Sequence, residues 1–325
     1  MKISLITVCY NAAETLATAI ESVSHQTYQD IEYIVVDGGS TDGTVELLRR
    51  YAEEKCSNSG IWECSNKNAD ACLGPSIRQS GSLKRSGNHS ANAESEAIIR
   101  QFFWLSESDE GMYDAVNKGI RMATGDVVGI LNADDVLADD GVVERIADHF
   151  LTTKSTKIDV VYGDVRFVRE CANSREGGTP RQGEADPSTN ELASLRNAKT
   201  LRYYSSKRWK PWMLRWGFMP PHPGVYIRRE LFEKLGYYKL GYHIAADYEL
   251  LIRYLWKAGL KTAYIPQCLV TMRPGGKSTK NWRSNVLLNQ EIVRGNRENG
   301  YFCCMLMLMP KYFFKIFEFI IPWLK

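Results

Sequence analysis

Residues 3–44 read ISLITVCYNAAETLATAIESVSHQTYQDIEYIVVDGGSTDGT, and the fold class follows from this stretch. Residues 3–9 (ISLITVC) form a short apolar run rich in β-branched residues, which predicts a buried strand. Leu16, Ile20 and Val23 then recur at helical spacing on one face. A second apolar run, YIVVD at 33–37, is closed by Gly38-Gly39, and TDGTVELLRRYAEE predicts a helix with Val45, Leu48 and Ala52 turned inward. Strand and helix alternating in this way predict parallel strands in a layered α/β sheet.

Beyond Lys55 the pattern stops. Residues 55–96 are rich in Ser, Asn and Gly and read as a polar insertion, because regular signals resume on both sides. IIRQFFWLS (98–106) predicts a strand, and a helix follows over 113–123, where Val116, Ile120 and Ala123 share a face before Gly125. DVVGILN runs as a strand into Asp134-Asp135, Val143, Ile146, Ala147 and Phe150 mark a helix, and IDVVYGDVRFV reads as another strand. Residues 171–198 form a second polar insertion bearing Gly and Pro. Helices are expected at 228–236, 245–258 and 283–297, with a strand at 261–265. The segment 203–216, YYSSKRWKPWMLRW, mixes cations with tryptophans and reads equally as a loop facing a ligand or a membrane, or as a surface segment packing aromatics on the core.

Residues 301–325 are strongly apolar but interrupted by Pro310, Lys311, Lys315 and Glu318. The run is too broken for a spanning helix. On a helix, positions 311, 315, 318, 322 and 325 fall on one narrow polar stripe, which predicts an amphipathic helix in the membrane interface. The competing reading is a terminal helix buried on the domain or in a dimer contact.

The 325 residues carry 41 basic and 38 acidic side chains, a net charge of +3, and 44% apolar residues. A packed core is expected, and no clustered basic excess argues for a nucleic acid partner. The eight cysteines show no CxxC pair. Cys56, Cys64 and Cys72, with His89 downstream, do not match zinc-knuckle spacing. Reduced thiols are expected, and no export signal is read in MKISLITVCYN, so a cytoplasmic protein at the inner face of the plasma membrane is expected.

Carboxylates recur at the predicted strand ends: Asp37 before Gly38-Gly39, Asp134-Asp135 after the DVVGILN strand, and Asp247 at the start of a later helix. In open α/β sheets ligands bind beyond the carboxyl ends of the strands. One such Asp can be a helix cap, but three point to a shared cation or polar ligand.

At this point a resemblance becomes specific. TVCYNAAETLATAIESVSHQTYQDIEYIVVDGGSTDGT, SDEGMYDAVNKGIRMATGDVVGILNADD and HPGVYIRRELFEKLGYYKLGYHIAADYELLIRYLWKAG occur in order and resemble glycosyltransferase family 2, especially members that build bacterial capsule, exopolysaccharide or lipopolysaccharide. The resemblance implies a GT-A nucleotide-sugar-binding fold over 1–300, a Rossmann-like mixed sheet flanked by helices, with 301–325 as an appended helix. It implies that Thr7, Tyr10 and Asn11 line the base and ribose pocket and that Asp37 bonds the base. Asp109 would close over the ribose and diphosphate, with Asp114, Asn117 and Lys118 pointing inward.

In the same way Asn132, Ala133 and Asp134 occupy the place of the metal-binding DxD, with Asp135 nearby, and His222 approaches the metal or acceptor. Asp247 takes the place of the catalytic base. The implied cofactor is a divalent metal, Mn or Mg, and the implied partners are a nucleotide-sugar donor, a UDP-sugar above all, and a lipid-linked glycan acceptor.

The chemistry suits these residue types. A hard divalent ion on few carboxylates and on phosphate oxygens neutralises a departing nucleoside diphosphate. One base suffices for an inverting attack by a hydroxyl. Two positions depart from the pattern: Asn132 brings no charge to the DxD, and Ala246 stands where many relatives carry an acid. The alternatives are a non-catalytic nucleotide-sugar-binding scaffold and, less favoured, a nucleotidyltransferase, for which TVCYNAAETL offers no Gly-rich triphosphate loop.

Overall fold

The computed structural model describes residues 1–54, 59–61, 99, 101–152, 157–169, 187–274 and 282–312. Its centre is the predicted strand pair: β1 (Ile3–Cys9) and β2 (Ile31–Asp37) run parallel, with Cys9 opposite Asp37. Their alternate residues feed two different cores. Ile3, Leu5, Tyr33 and Val35 face one, and Ile6, Ile34 and Val36 the other. A strand buried on both faces loses the polar half of its alternation, which is why both read as continuous apolar runs. Each fully buried Ile, Leu or Val contributes about 1.5–3 kcal/mol.

The helices that cover the first face are α1 (Leu16–Ser24), α2 (Thr44–Glu54) and α4 (Val142–Leu151). Leu16, Ile20 and Val23 are buried as their spacing predicts. The second face is covered by α3 (Met112–Met122), α6 (Glu230–Leu235), α7 (Ala246–Leu251) with its π-helical continuation Ile252–Lys257, and α8 (Trp282–Glu298). Gly119 lets α3 press onto the sheet, since a Cβ there would lie 2.5 Å from Ile6 Cγ2.

Among the described residues the sheet has ten strands. Around the central pair stand β3 (Ser59–Ile61), β4 (Gln101–Ser106), β5 (Val127–Ile130) and β6 (Val136–Leu137). β7 (Val160–Val168), β8 (Thr200–Tyr204), β9 (Val225–Arg228) and β10 (Thr262–Met272) complete it. The order is β3-β4-β2-β1-β5-β9-β7-β10-β6, with β8 on β7. Strands β3 to β5 with β1 and β2 are parallel; β9 pairs antiparallel with both β5 and β7. The sheet is therefore mixed, and its parallel half sets the carboxyl ends of β1, β2, β4 and β5 along one edge.

Three expectations change. The first insertion contains β3, which pairs parallel with Phe102–Trp104 of β4; main-chain bonding at a sheet edge does not depend on side-chain periodicity. The remainder, residues 62–98 with Cys64, Cys72 and His89, lies outside the described residues. The second insertion ends in α5 (Pro187–Asn197), whose Leu192 and Leu195 pack with Val136 and Val168. Two leucines three residues apart are a weak periodic signal, and contact with α1 makes up the difference.

The third change is at the chain end. Residues 301–304 are irregular and Met305–Leu308 form a 3-10 turn, so the α-helical conformation begins only at Pro310. Cys303, Leu308 and Lys311 are buried, and Lys311 Nζ donates to Asn289 Oδ1 at 2.5 Å. Lys311 is therefore an internal group and not a headgroup-facing cation. Residues 313–325, with Lys315 and Glu318, lie outside the described residues. No helix among the described residues is long and apolar enough to cross a membrane.

Candidate active site

The carboxyl ends of β1 and β2 are knitted together by their own loops. Asn11 is the non-glycine residue with positive φ (51°) among those described, a conformation that asparagine tolerates. This turns its backbone N–H to Ser40 Oγ (2.7 Å), while its Oδ1 accepts from Thr41 N (2.9 Å). Ala12 N and Ala13 N donate to Thr44 Oγ1 and Asp42 Oδ2, both at 3.0 Å. Asn11 is thus a builder of the pocket wall.

Asp37 is fully buried and its carboxylate already collects donors from its own surroundings. Oδ2 accepts from Gly39 N (3.1 Å), Ser40 N (3.0 Å) and Ser106 Oγ (2.7 Å); Oδ1 accepts from Ser40 Oγ and, at 3.6 Å, Cys9 Sγ. Burial, with Asp37 second, pushes the Cys9 thiol far up. Thr7 is likewise internal, its Oγ1 2.9 Å from Tyr33 Oη. These two expected donor contacts shape the cleft from behind. Tyr10, by contrast, is 66% exposed at the rim.

The loop after β4 comes forward beside Tyr10. Asp109 Oδ1 accepts from Gly111 N at 2.8 Å at the start of α3, and its Oδ2 lies where a Cβ on Gly38 would be, 2.5 Å from that position. Lys118 draws the loop onto α3 through Glu107 (2.7 Å), Asp114 (3.2 Å) and Ser108 O (3.2 Å). Burial opposes its charge, but the two carboxylates win and raise its pKa. Asp114 also accepts from Glu110 N (3.2 Å). Asn117 is buried and closes both ends of its amide on the backbone of Tyr238, at 2.8 and 3.0 Å. Asp114, Asn117 and Lys118 therefore hold loops in place, and Asp109 keeps one oxygen, Oδ2, without a hydrogen-bond donor among the described residues.

After β5 the chain makes the Asn132-Ala133-Asp134-Asp135 turn. Asp134 is exposed, and Asp135 is buried and held by Asn132 Nδ2 at 2.7 Å. Burial, then the neighbouring Asp134 charge, raises Asp135 well above the usual carboxylate range. Arg273 pins the turn by donating to Asp134 O (2.8 Å). Among the described residues no three His, Cys, Asp or Glu side chains gather as a metal cage. A lone exposed carboxylate does fit Mg or Mn, which keep water and substrate phosphates as ligands.

Asp247, partly buried in the first turn of α7, accepts from Tyr248 N (2.8 Å) and Tyr113 Oη (3.4 Å). Burial raises its pKa, against the opposing influence of nearby His222. His222 opens the 3-10 turn His222–Gly224; its Nε2 meets Tyr238 Oη at 2.7 Å, and burial lowers its pKa against the pull of Asp247. Tyr113 also donates to Ile244 O (2.5 Å), joining the N-terminal turn of α3 to the approach of α7. One positioning residue has no sequence signal: Glu291 of α8 is buried and accepts from His243 N (2.7 Å), Ile244 N (2.9 Å) and Ala245 N (2.8 Å). It thereby fixes the backbone leading into Asp247. The 203–216 segment divides, with Trp209 and Leu214 buried and Trp212 and Trp216 exposed.

Comparison with known proteins bears on the family and the fold. The model of the family described as glycosyl transferase family 2 matches residues 4–67 and 89–236, more than half of the chain, and stops short of Asp247. A PGL/p-HBAD biosynthesis glycosyltransferase of Mycobacterium bovis is 25% identical over 291 residues, covering 90% of this chain and 82% of its own length. An uncharacterized glycosyltransferase of Nostoc sp. is 27% identical over 72% of this chain and 53% of its own length. Among solved structures, mannosyltransferase PcManGT of Pyrobaculum calidifontis, in complex with GDP-Man and Mn2+, superposes with a TM-score of 0.52 at 17% identity, over 91% of this chain and 63% of that one. S. aureus TarS 1-349 in complex with UDP-GlcNAc gives 0.51 at 15% identity, over 90% and 67%. The chain thus spans about two thirds of these structures, and at such identity they share its fold. With its mixed sheet, its carboxylate-bearing edge and the family match, the chain belongs to glycosyl transferase family 2.

Proposed function

We propose that this glycosyltransferase moves a hexosyl or N-acetylhexosaminyl group from a nucleoside diphosphate donor to an acceptor hydroxyl with inversion, Asp247 serving as base. The observation that carries the reading is the setting of Asp247. Its carboxylate has a raised pKa, is steered by Tyr248 N and Tyr113, and is bound through α3 to the loop that carries Asp109. A carboxylate of raised basicity accepts the hydroxyl proton as the new bond forms, and a single displacement requires no second carboxylate nucleophile.

Asp134 would hold a divalent ion together with the donor phosphates, and His222 could add Nδ1, its Nε2 being engaged by Tyr238. Such an ion supplies charge neutralisation at the leaving diphosphate. Tyr10, Asn11 and the 38–40 turn form the nucleoside side of the cleft. A lipid-linked glycan at the inner membrane face is the acceptor we favour, supported by the apolar residues 313–325 and exposed Trp212 and Trp216. The same residues support a reading in which the enzyme works at that membrane surface in the assembly of bacterial surface polysaccharide.

Asp247→Asn tests the reading. It should lower kcat by about 10²- to 10⁴-fold, the usual contribution of a general base, with donor affinity unchanged in calorimetry. Near-normal transfer by this variant would remove Asp247 from the chemistry.

A further inference from the structure

Gly38 is not required by its backbone, because its φ lies outside the left-handed region in which glycine is favoured. It is required by space. A Cβ at this position would lie 2.5 Å from Asp109 Oδ2, 3.3 Å from Asp109 Cγ and 3.5 Å from Tyr10 Cδ2. The absence of a side chain at 38 thus creates a notch between β1 and β2, and the tip of Asp109 enters it from the loop after β4.

Three properties of the notch point to a ligand. Tyr10 presents a ring that is 66% exposed, although a large aromatic at the rim gains nothing from solvent. Asp109 Oδ1 is held by Gly111 N, which orients the carboxylate, whereas Oδ2 has no hydrogen-bond donor among the described residues. Asp37, the neighbouring carboxylate at the same strand edge, is saturated by internal donors and cannot serve. A stacking face beside an oriented, acceptor-only oxygen is the complement of a planar heterocycle that carries an N–H on its edge.

We infer that Asp109, admitted by Gly38, is the residue that reads the base of the nucleotide donor, and that it selects bases with an imide-type N–H. The inference rests on the nucleoside diphosphate reading above. Uracil offers N3–H and guanine offers N1–H and its amino group to a carboxylate. Cytosine and adenine present a ring-nitrogen lone pair at the same place, which a carboxylate oxygen acting only as an acceptor does not bind.

The test is calorimetry of the full chain with UDP, GDP, CDP and ADP in magnesium buffer. Wild type should bind UDP or GDP at least about tenfold more tightly than CDP and ADP, the difference expected for a hydrogen bond to a charged group. Asp109→Asn keeps an oxygen for Gly111 N and adds an amide donor, so it should weaken the preferred nucleotide and strengthen CDP, narrowing that ratio by about tenfold. A double variant, Gly38→Asp with Asp109→Gly, returns a carboxylate to the notch from the other strand end and should recover the wild-type preference. If wild type discriminates and Asp109→Asn leaves the ratio unmoved, the inference falls while the donor reading stands. If wild type binds all four alike, the inference also falls. Binding of none of them would overturn the donor reading itself.

Discussion

Carboxylates of similar appearance in the sequence have separate tasks in the structure. Asp37 is buried under five donors, Asp135 is buried beside Asn132, Asp134 is exposed, and Asp247 is partly buried with a raised pKa. Because burial raises its pKa, Asp247, the proposed base, is ionised only above a value higher than that of an ordinary aspartate. The pH–rate profile should therefore rise with pH through that raised value and flatten above it. The sign for stability is opposite: the folded state favours protonated Asp247, so its contribution is present at low pH and is lost as pH rises. A profile that rises at an ordinary aspartate pKa would show that Asp247 is not the group being followed. For Asp134, replacement by Ala should cut manganese- or magnesium-dependent UDP binding by about tenfold or more, the scale of one ligand to a hard cation. Metal-independent binding equal in both proteins would remove Asp134 from the donor site.

At the scale of elements, α8 positions α7 and α3 presses on β1. Glu291 supports the 243–245 backbone with three hydrogen bonds from a buried carboxylate. Glu291→Ala leaves those N–H groups unsatisfied and should cost about 2–4 kcal/mol in denaturant unfolding, with a lower kcat. Glu291→Gln keeps an acceptor and should recover part of both. The α3–β1 contact is tighter still, and Gly119→Val adds bulk where even a Cβ meets Ile6 Cγ2 at 2.5 Å. Overpacking of this kind costs about 1–3 kcal/mol, measurable as a lower Tm. An unchanged Tm would mean that α3 can lift off the sheet without loss.

For the whole molecule, the boundary between the domain and the C-terminal tail lies later than the sequence suggests. Cys303, Leu308 and Lys311 are buried against the domain, so a cut at 301 removes part of the core. Truncation after Tyr312 is expected to keep the Tm and donor binding while abolishing sedimentation with anionic phospholipid vesicles. Equal sedimentation of the two proteins would place the membrane contact elsewhere, and aggregation after truncation would show that 313–325 cover the domain.

What the chain determines by itself is its layered α/β architecture and the edge on which the strand-end carboxylates stand. Doubly buried strands and amphipathic helices write their periods directly into residues 3–54, and the carboxylates stand at strand ends where a cation or diphosphate fits. Asn117, Thr7 and Asp37 look from the sequence like ligand contacts and are satisfied inside the protein; Glu291 gives no signal and holds the backbone leading into Asp247. Only the tertiary structure decides which polar group is left open to the cleft, because that depends on partners far along the chain. Asn117 and Tyr238 are 121 residues apart, and Glu291 lies 46 residues from Ala245. Local periodicity reports which face of an element is buried, whereas hydrogen-bond satisfaction is fixed only when distant segments meet.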